Sequence, residues 1–412
     1  MRRTTLILAA IVATILLASG VAFSQSTPTG NLDASMAPPD RCLPSTSAST
    51  SELPPAARAD RELTVMTRNL YLGADLDPVV AAASTGNPAA LIQAVSDTWA
   101  NVVATDFHER ADALAVEIEE SEPLLVGLQE VSLYRTGAPD SFSGAPTPAT
   151  HEEYDFLKIL LGKLNNEQGP HYAPVVVNQN YDVEFPGFTS PGVLRDIRLT
   201  DRDVILARTD LPVSQLKLSN AQTANFATNV SLPIGGTGQS VTISRGWGSV
   251  DATVRGITFR FINTHLEPES PSAAVNAIQV AQGNEILSGP AETGLPVILA
   301  GDYNSRADGT GTQTYGNSIE AGFTDAWSAT HPGELGNTWG HAPDLKNTTV
   351  NFDRRIDLVL FRGGLCAFDA DIVGEELTDR TPSGLWPSDH AGVVATLGLQ
   401  PADHVSNGQE GE

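Results

Sequence analysis

What most narrows the fold of this chain is the way its apolar strands stop. Residues 295–300 read LPVILA, a run of strand formers suited to burial on both faces of a sheet, and it gives way at once to Gly301, Asp302, Tyr303 and Asn304. The pattern recurs along the chain. Leu63 to Thr67 runs into Arg68 and Asn69, LLVGLQEV closes on Gln129 and Glu130, and ITFRFINTH closes on Asn263 and His265. Asp357 opens the strand in RRIDLVLF, and Asp389 and His390 lead into HAGVVATLGL. Polar groups gain nothing from a core at such positions, whereas ligands of open α/β sheets bind just beyond strand ends. A lone carboxylate there is ordinarily a cap or turn residue, and a lone histidine a satisfied structural one. Carboxylates, amides and two histidines coinciding at strand ends point instead to chemistry.

Between these strands lie helices marked by their apolar spacing. Leu91, Ile92, Val95, Trp99 and Val102 share a face over residues 88–103, HERADALAVEIEES continues as a second helix until Pro123, and YDFLKILLGKL and SAAVNAIQVAQGNEIL supply two more. From Tyr172 to Phe261 the period shifts to strands, among them YAPVVVN, RDVILART, SVTISRG and GSVDATV, separated by Gly, Pro and Asn turns. Strands interleaved with few helices in both halves predict one α/β domain with antiparallel or mixed sheets. It is expected over residues 61–400.

The flanking segments read differently. Arg2 and Arg3 precede an apolar run from Leu6 to Leu17 and then small residues, which predicts a secretory signal over 1–24. An uncleaved anchor is the competing reading, so the expected location is secreted or extracytoplasmic, or membrane-anchored if the signal stays. No other membrane span is expected. Residues 25–60 are rich in Ser, Thr, Pro and Ala and predict a disordered linker, and 401–412 form a polar tail. Export permits a disulfide between Cys42 and Cys366, with two unrelated thiols as the alternative. Neither cysteine has metal-ligand spacing.

The formal charge is −25, and it becomes −27 without residues 1–24, which hold Arg2 and Arg3 but no acid. No basic run marks a nucleic-acid track, since RDIRLTDR interleaves Arg195, Arg198 and Arg202 with Asp196 and Asp201. A bound divalent cation can still supply positive charge locally. Glu130, Asp302 and Asp389 are hard oxygen ligands suited to Mg2+, Mn2+ or Ca2+. Asn69 and Asn304 can orient a phosphate or water without adding negative charge, and His265 and His390 can donate to a phosphoryl oxygen or move a proton. Together these side chains describe metal-assisted attack of water on a phosphate ester.

TRNLYLG, GLQEV, NTHL, GDYN, RRIDLVL and SDH follow one another between about residue 63 and residue 398. In this order they resemble the endonuclease/exonuclease/phosphatase superfamily of deoxyribonuclease-like enzymes. The resemblance implies a four-layer α/β/β/α sandwich of two packed mixed sheets with the site at one edge. It implies Glu130 as direct metal ligand with Asn69 beside it and Asp389 as a second metal contact. His265 would meet the scissile phosphate or assist the leaving group, Asp302 and Asn304 would position and activate the water, and Asp357 would orient His390. Asn69, Asn304 and His265 would also touch substrate. Some relatives pair the histidine of NTHL with a glutamate, and no such residue is identifiable here. Asp75 or Asp77 is a further metal contact or a turn residue, and Trp247 and Tyr303 are expected to pack.

The implied cofactor is Mg2+ or Mn2+, with Ca2+ as an option, and the expected protein is a monomeric phosphodiesterase. Nucleic acid outside the cell is the leading substrate, with phospholipid head groups of the phospholipase C or sphingomyelinase kind, or a small phosphate ester, as alternatives. Lipid hydrolysis would call for exposed aromatics, for which Tyr181 to Phe188 is the candidate. A catalytically silent binding protein of the same fold is the reading from another class.

Overall fold

The computed structural model describes residue 42 and residues 62–399 apart from 144–145, 166–168 and 237. The expected signal, the rest of the linker and the tail lie outside the described residues. The strands in chain order are β1 (Glu62–Asn69), β2 (Leu125–Gln129), β3 (Leu133–Gly137), β4 (His151–Asp155), β5 (Tyr172–Ser190), β6 (Val193–Arg208), β7 (Lys217–Asn225), β8 (Val230–Ile234), β9 (Gln239–Ile243), β10 (Gly246–Val254), β11 (Ile257–His265), β12 (Val297–Asp302), β13 (Thr324–Asp325), β14 (Asp357–Arg362), β15 (Leu365–Val373) and β16 (Gly392–Leu399). One sheet runs β15-β16-β1-β2-β6-β3-β4, with β5 also paired to β6. The second runs β13-β14-β12-β11-β10-β7, and β8 and β9 form a separate ribbon. Both sheets are mixed: β1 and β2 are parallel, as are β11 and β12, among antiparallel neighbours.

Side-chain alternation builds the layers. In β12, Ile298 and Ala300 join Val65, Leu125, Ile205, Phe261 and Val393 in the core between the sheets. Their neighbours Val297 and Leu299 face the other way, onto Ile286 and Phe323. In β1, Val65 faces the inter-sheet core while Met66 faces Leu114, Ile118 and Phe156 of the helices on the far side. Those helices are α1 (Asp77–Thr85), α2 (Pro88–Ala104), α3 (Phe107–Ser121) and α4 (Phe156–Leu164). The outer face of the second sheet carries α5 (Ala273–Ser288) and α6 (Thr314–Glu320), and α7 (Ala326–Thr330) tucks Ala326 and Ala329 into the inter-sheet core. The result is the expected four-layer sandwich. None of the helices among the described residues is long and apolar enough to cross a membrane.

The same alternation decides the fate of the polar strand ends. Asn263 and Gln129 lie in line with inward residues and link the sheets: Asn263 Nδ2 donates to the carbonyls of Leu128 at 2.9 Å and Val204 at 3.1 Å, and its Oδ1 accepts from Gln129 Nε2 at 2.7 Å. Gly127 leaves room for this link, since a Cβ there would stand 2.6 Å from Asn263 Oδ1. Tyr303 turns to the helix side and is buried with Leu299 and Phe323, as its parity predicts, and Trp247 packs against the same cluster. Cys42 and Cys366 form a disulfide, with Cα atoms 5.1 Å apart, that fastens residue 42 to β15.

Candidate active site

The structure brings the candidate residues from both sheets to one edge of the sandwich. Asn69, at the end of β1, donates through Nδ2 to Asp302 Oδ2 at 3.1 Å and to Glu130 Oε1 at 3.4 Å, while its Oδ1 accepts from the Tyr71 amide at 2.9 Å. Glu130 follows β2 with φ of 56°, in the left-handed region that side-chain-bearing residues avoid. That backbone turns its carboxylate back over the β1 end, where Oε2 accepts from the Leu72 amide at 2.7 Å. Asn304 is likewise left-handed, with φ of 48°. Its Nδ2 donates to the Leu266 carbonyl at 3.0 Å, and its backbone amide donates to Asp302 Oδ1 at 2.9 Å. Asp302 lies at the centre: His265 Nε2 stands 3.4 Å and His390 Nε2 3.7 Å from its Oδ2.

Asp357, fully buried at the start of β14, accepts from His390 Nδ1 at 2.8 Å and from Thr338 Oγ1 at 2.7 Å through the same oxygen. Burial opposes a charge on His390, but Asp357, Asp389 and Asp302 outweigh it and push its pKa up to about 10. Burial, reinforced by Asp357, lifts Asp302 to about 7, against His390 and the Asn304 amide. Burial lifts Asp389 to about 6, against His390, with Glu130 adding to the rise. The site therefore pairs a cationic imidazole with a carboxyl group poised near neutrality.

His265 has a different partner from any the sequence offered. Arg245 Nη1 lies 2.8 Å from His265 Nδ1 and 3.2 Å from its Nε2, and a guanidinium nitrogen can only donate. The shorter contact assigns Nδ1 as the acceptor, which leaves the ring proton on Nε2, 3.4 Å from Asp302 Oδ2. Burial, Arg245 and His390 all hold its pKa well below the ordinary value, so the ring is neutral. Asp75 Oδ1 accepts from the Asp77 amide at 2.8 Å at the start of α1, so this pair serves a turn.

The oxygens here suit a divalent cation. Among the described residues Asp389 Oδ1 has no hydrogen-bond partner although it is buried, and the only side-chain donor to Glu130 Oε1 is the long contact from Asn69. An all-oxygen set from Glu130, Asp389 and Asn69 fits Mg2+, Mn2+ or Ca2+ better than a soft metal.

Beside this site, Trp339 Nε1 donates to Asp389 Oδ2 at 3.3 Å, and the Arg354 guanidinium lies over the Trp339 ring at 4.5 Å. Two arginines brace the site from beneath. Arg68 pairs with Glu117 at 2.8 and 2.9 Å and donates to the His390 carbonyl, while Arg110 donates to the carbonyls of Leu70, Tyr71 and Pro387.

A family model described as the endonuclease/exonuclease/phosphatase family matches residues 99–390. The chain belongs to this family. As a member it is a metal-dependent phosphoric ester hydrolase. Similar solved structures include a family protein from Leptotrichia buccalis, 14% identical, with 82% of this chain and 100% of that chain covered and a TM-score of 0.49. A mannosyl-6-phosphatase from Bacteroides thetaiotaomicron is 16% identical over 81% of this chain and 99% of that one, with a TM-score of 0.47. TDP2 from D. rerio, complexed with a single-strand DNA product, is 16% identical over 82% of this chain and 99% of that one, with a TM-score of 0.45. No curated protein matches the chain.

Proposed function

We propose that the protein is an exported, divalent-metal-dependent phosphodiesterase that acts on nucleic acid. The observation that carries the substrate class is the half-buried Trp339 with Arg354 stacked on it, next to Asp389 and His390. A flat aromatic and guanidinium surface suits a nucleobase held beside a scissile phosphate. The Cys42–Cys366 bridge supports export, because such bonds persist in oxidising compartments.

In this reading Glu130, Asp389 and Asn69 hold the metal, which supplies Lewis-acid charge at the phosphate. Asp302, with a pKa of about 7, takes the proton of the attacking water, and Asn304 helps to place that water. His390 presents a cationic Nε2–H to the phosphoryl oxygens as negative charge develops, and Asp357 keeps the ring charged and aimed. His265 offers a neutral Nε2–H from the other side, aligned by Arg245.

A substrate panel tests this. With Mn2+ or Mg2+, products are expected from DNA or RNA and from bis-p-nitrophenyl phosphate, and none in EDTA. Trp339→Ala should raise KM for single-stranded nucleic acid roughly tenfold, within the range for one stacked base, and reduce bis-p-nitrophenyl phosphate turnover by less, since it also removes the hydrogen bond to Asp389. Products from sphingomyelin vesicles alone would favour a lipid-directed reading. That second reading has its own support in Phe188 and Val193, which are 42% and 41% exposed near the tip of the β5–β6 hairpin. This hairpin runs past the last β2–β6 pair, Leu128↔Val204, on the side of the site.

A further inference from the structure

We propose that a second divalent cation binds between Asp201 and Asp203, behind His265, in the seam where the two sheets meet. Asp201 and Asp203 alternate with Ile205 along β6, so all three face inward, and the two carboxylates are 0% and 1% exposed. Asn180 Nδ2 donates to Oδ2 of both at 2.9 Å. The remaining oxygen of each, Oδ1, is buried without a hydrogen bond among the described residues. Neither forms an ion pair with a lysine or arginine among the described residues. A ligand atom from each carboxylate and a ring nitrogen of His265, which comes from the opposite sheet, lie within 4.8 Å of one another.

Two buried carboxylates side by side, each with an oxygen lacking a hydrogen bond, are costly unless something positive lies near them. Arg245 acts on both carboxylates from a distance but forms an ion pair with neither; among the described residues its ion pair is with Glu267 at 3.9 Å, and its Nη1 lies against His265. With all of them ionised, Asp201, Asp203 and Glu267 against Arg245 would leave two negative charges in excess; burial resists that ionisation, and a divalent cation would balance it. The oxygen ligands select Mg2+, Mn2+ or Ca2+. Ligation would come from the two carboxylates, and His265, whose Nδ1 is taken by Arg245, would be met through a water on the cation. Bound there, the cation would join β6 of the first sheet to β11 of the second, one residue pair from the Asn263 link, and would fix the wall against which His265 stands. The site is distinct from Glu130 and Asp389, and it does not depend on which phosphate ester is cleaved.

Crystals of the full chain soaked in Mn2+ should give an anomalous-difference peak between Asp201 and Asp203. In equilibrium dialysis, Asp203→Asn should lose one Mn2+ per chain while keeping the one that Glu130→Gln removes. A peak beside Glu130 and Asp389 alone, or Asp203→Asn binding as much Mn2+ as the wild type, would overturn the proposal and assign a shared proton to the pair. A peak at Asp201 and Asp203 with none at Glu130 would support it and overturn the reading of the main site instead. The wild-type crystal decides the matter even if the variant does not fold.

Discussion

His265 approaches Asp302 from the second sheet at 3.4 Å, and His390 approaches the same oxygen from the first sheet's side at 3.7 Å. Both rings are buried, so desolvation pushes each towards neutrality. What stands behind them differs. A carboxylate, Asp357, backs His390, and a guanidinium, Arg245, backs His265, so one ring is charged and the other is not. Equal burial thus yields opposite protonation, and the second neighbour decides which ring brings charge to a phosphate and which brings only a hydrogen bond.

The largest test of this contrast is removal of the charged side. His390→Gln or Asp302→Asn is expected to lower kcat by about 10³-fold, the scale of losing a proton-transfer group or a preorganised donor, measured on bis-p-nitrophenyl phosphate at saturating Mn2+. Asp357→Asn leaves the ring but removes the first group that keeps it charged. Its kcat should fall by about 10²-fold, and the alkaline limb of its pH profile should move below the value near 10 set for His390.

Changing the other side should cost less. Arg245→Met frees His265 Nδ1, so kcat should drop by roughly tenfold, the low side of what a positioned donor contributes. An NMR titration should show the ring, neutral throughout in the wild type, gaining a proton as pH falls towards the ordinary histidine range. If the ring fails to titrate, burial alone sets its state and the contrast collapses.

The smallest effect is on stability. Asp302 holds its proton more tightly folded, with a pKa of about 7, than unfolded, where it is ordinarily near 3.8. The native chain therefore binds more protons between these values, and the contribution of Asp302 to stability falls as pH rises from about 4 to about 7. In urea titrations without metal, Asp302→Asn should gain on the wild type across that window, and added Mn2+ should narrow the gap.

Much of this was visible in the sequence because it rests on local pattern. ITFRFINTH is β11 residue for residue, and the apolar face of Leu91, Val95, Trp99 and Val102 is buried in α2 as its spacing requires. Asn69, His265, Asp302 and Asp357 converge because each continues its strand's inward parity, whereas Glu130 and His390 do not and are brought in by the turns that carry them. Three features were hidden. β7, Lys217–Asn225, is exposed or half-exposed throughout and held by pairing to β10, so it carries no hydrophobic signal. β5 reads as separate short strands because a bulge between Gln179 and Asp182 interrupts its alternation. Asp201 and Asp203 meet His265 only once the sheets pack, whereas Arg245 reaches it within one sheet, next to the Gly246–His265 pair of β10 and β11. The clue was the parity of Asp201 and Asp203, two acids in line with core-facing Ile205 and Ala207.

The bond between Cys42 and Cys366 spans 324 residues, nearly the whole folded chain. Any single backbone cut between these positions leaves the two fragments covalently joined, each still packed on the other through sheets drawn from both. In surroundings rich in proteases, such a protein would survive its first nick, and only a reducing agent would let the pieces part.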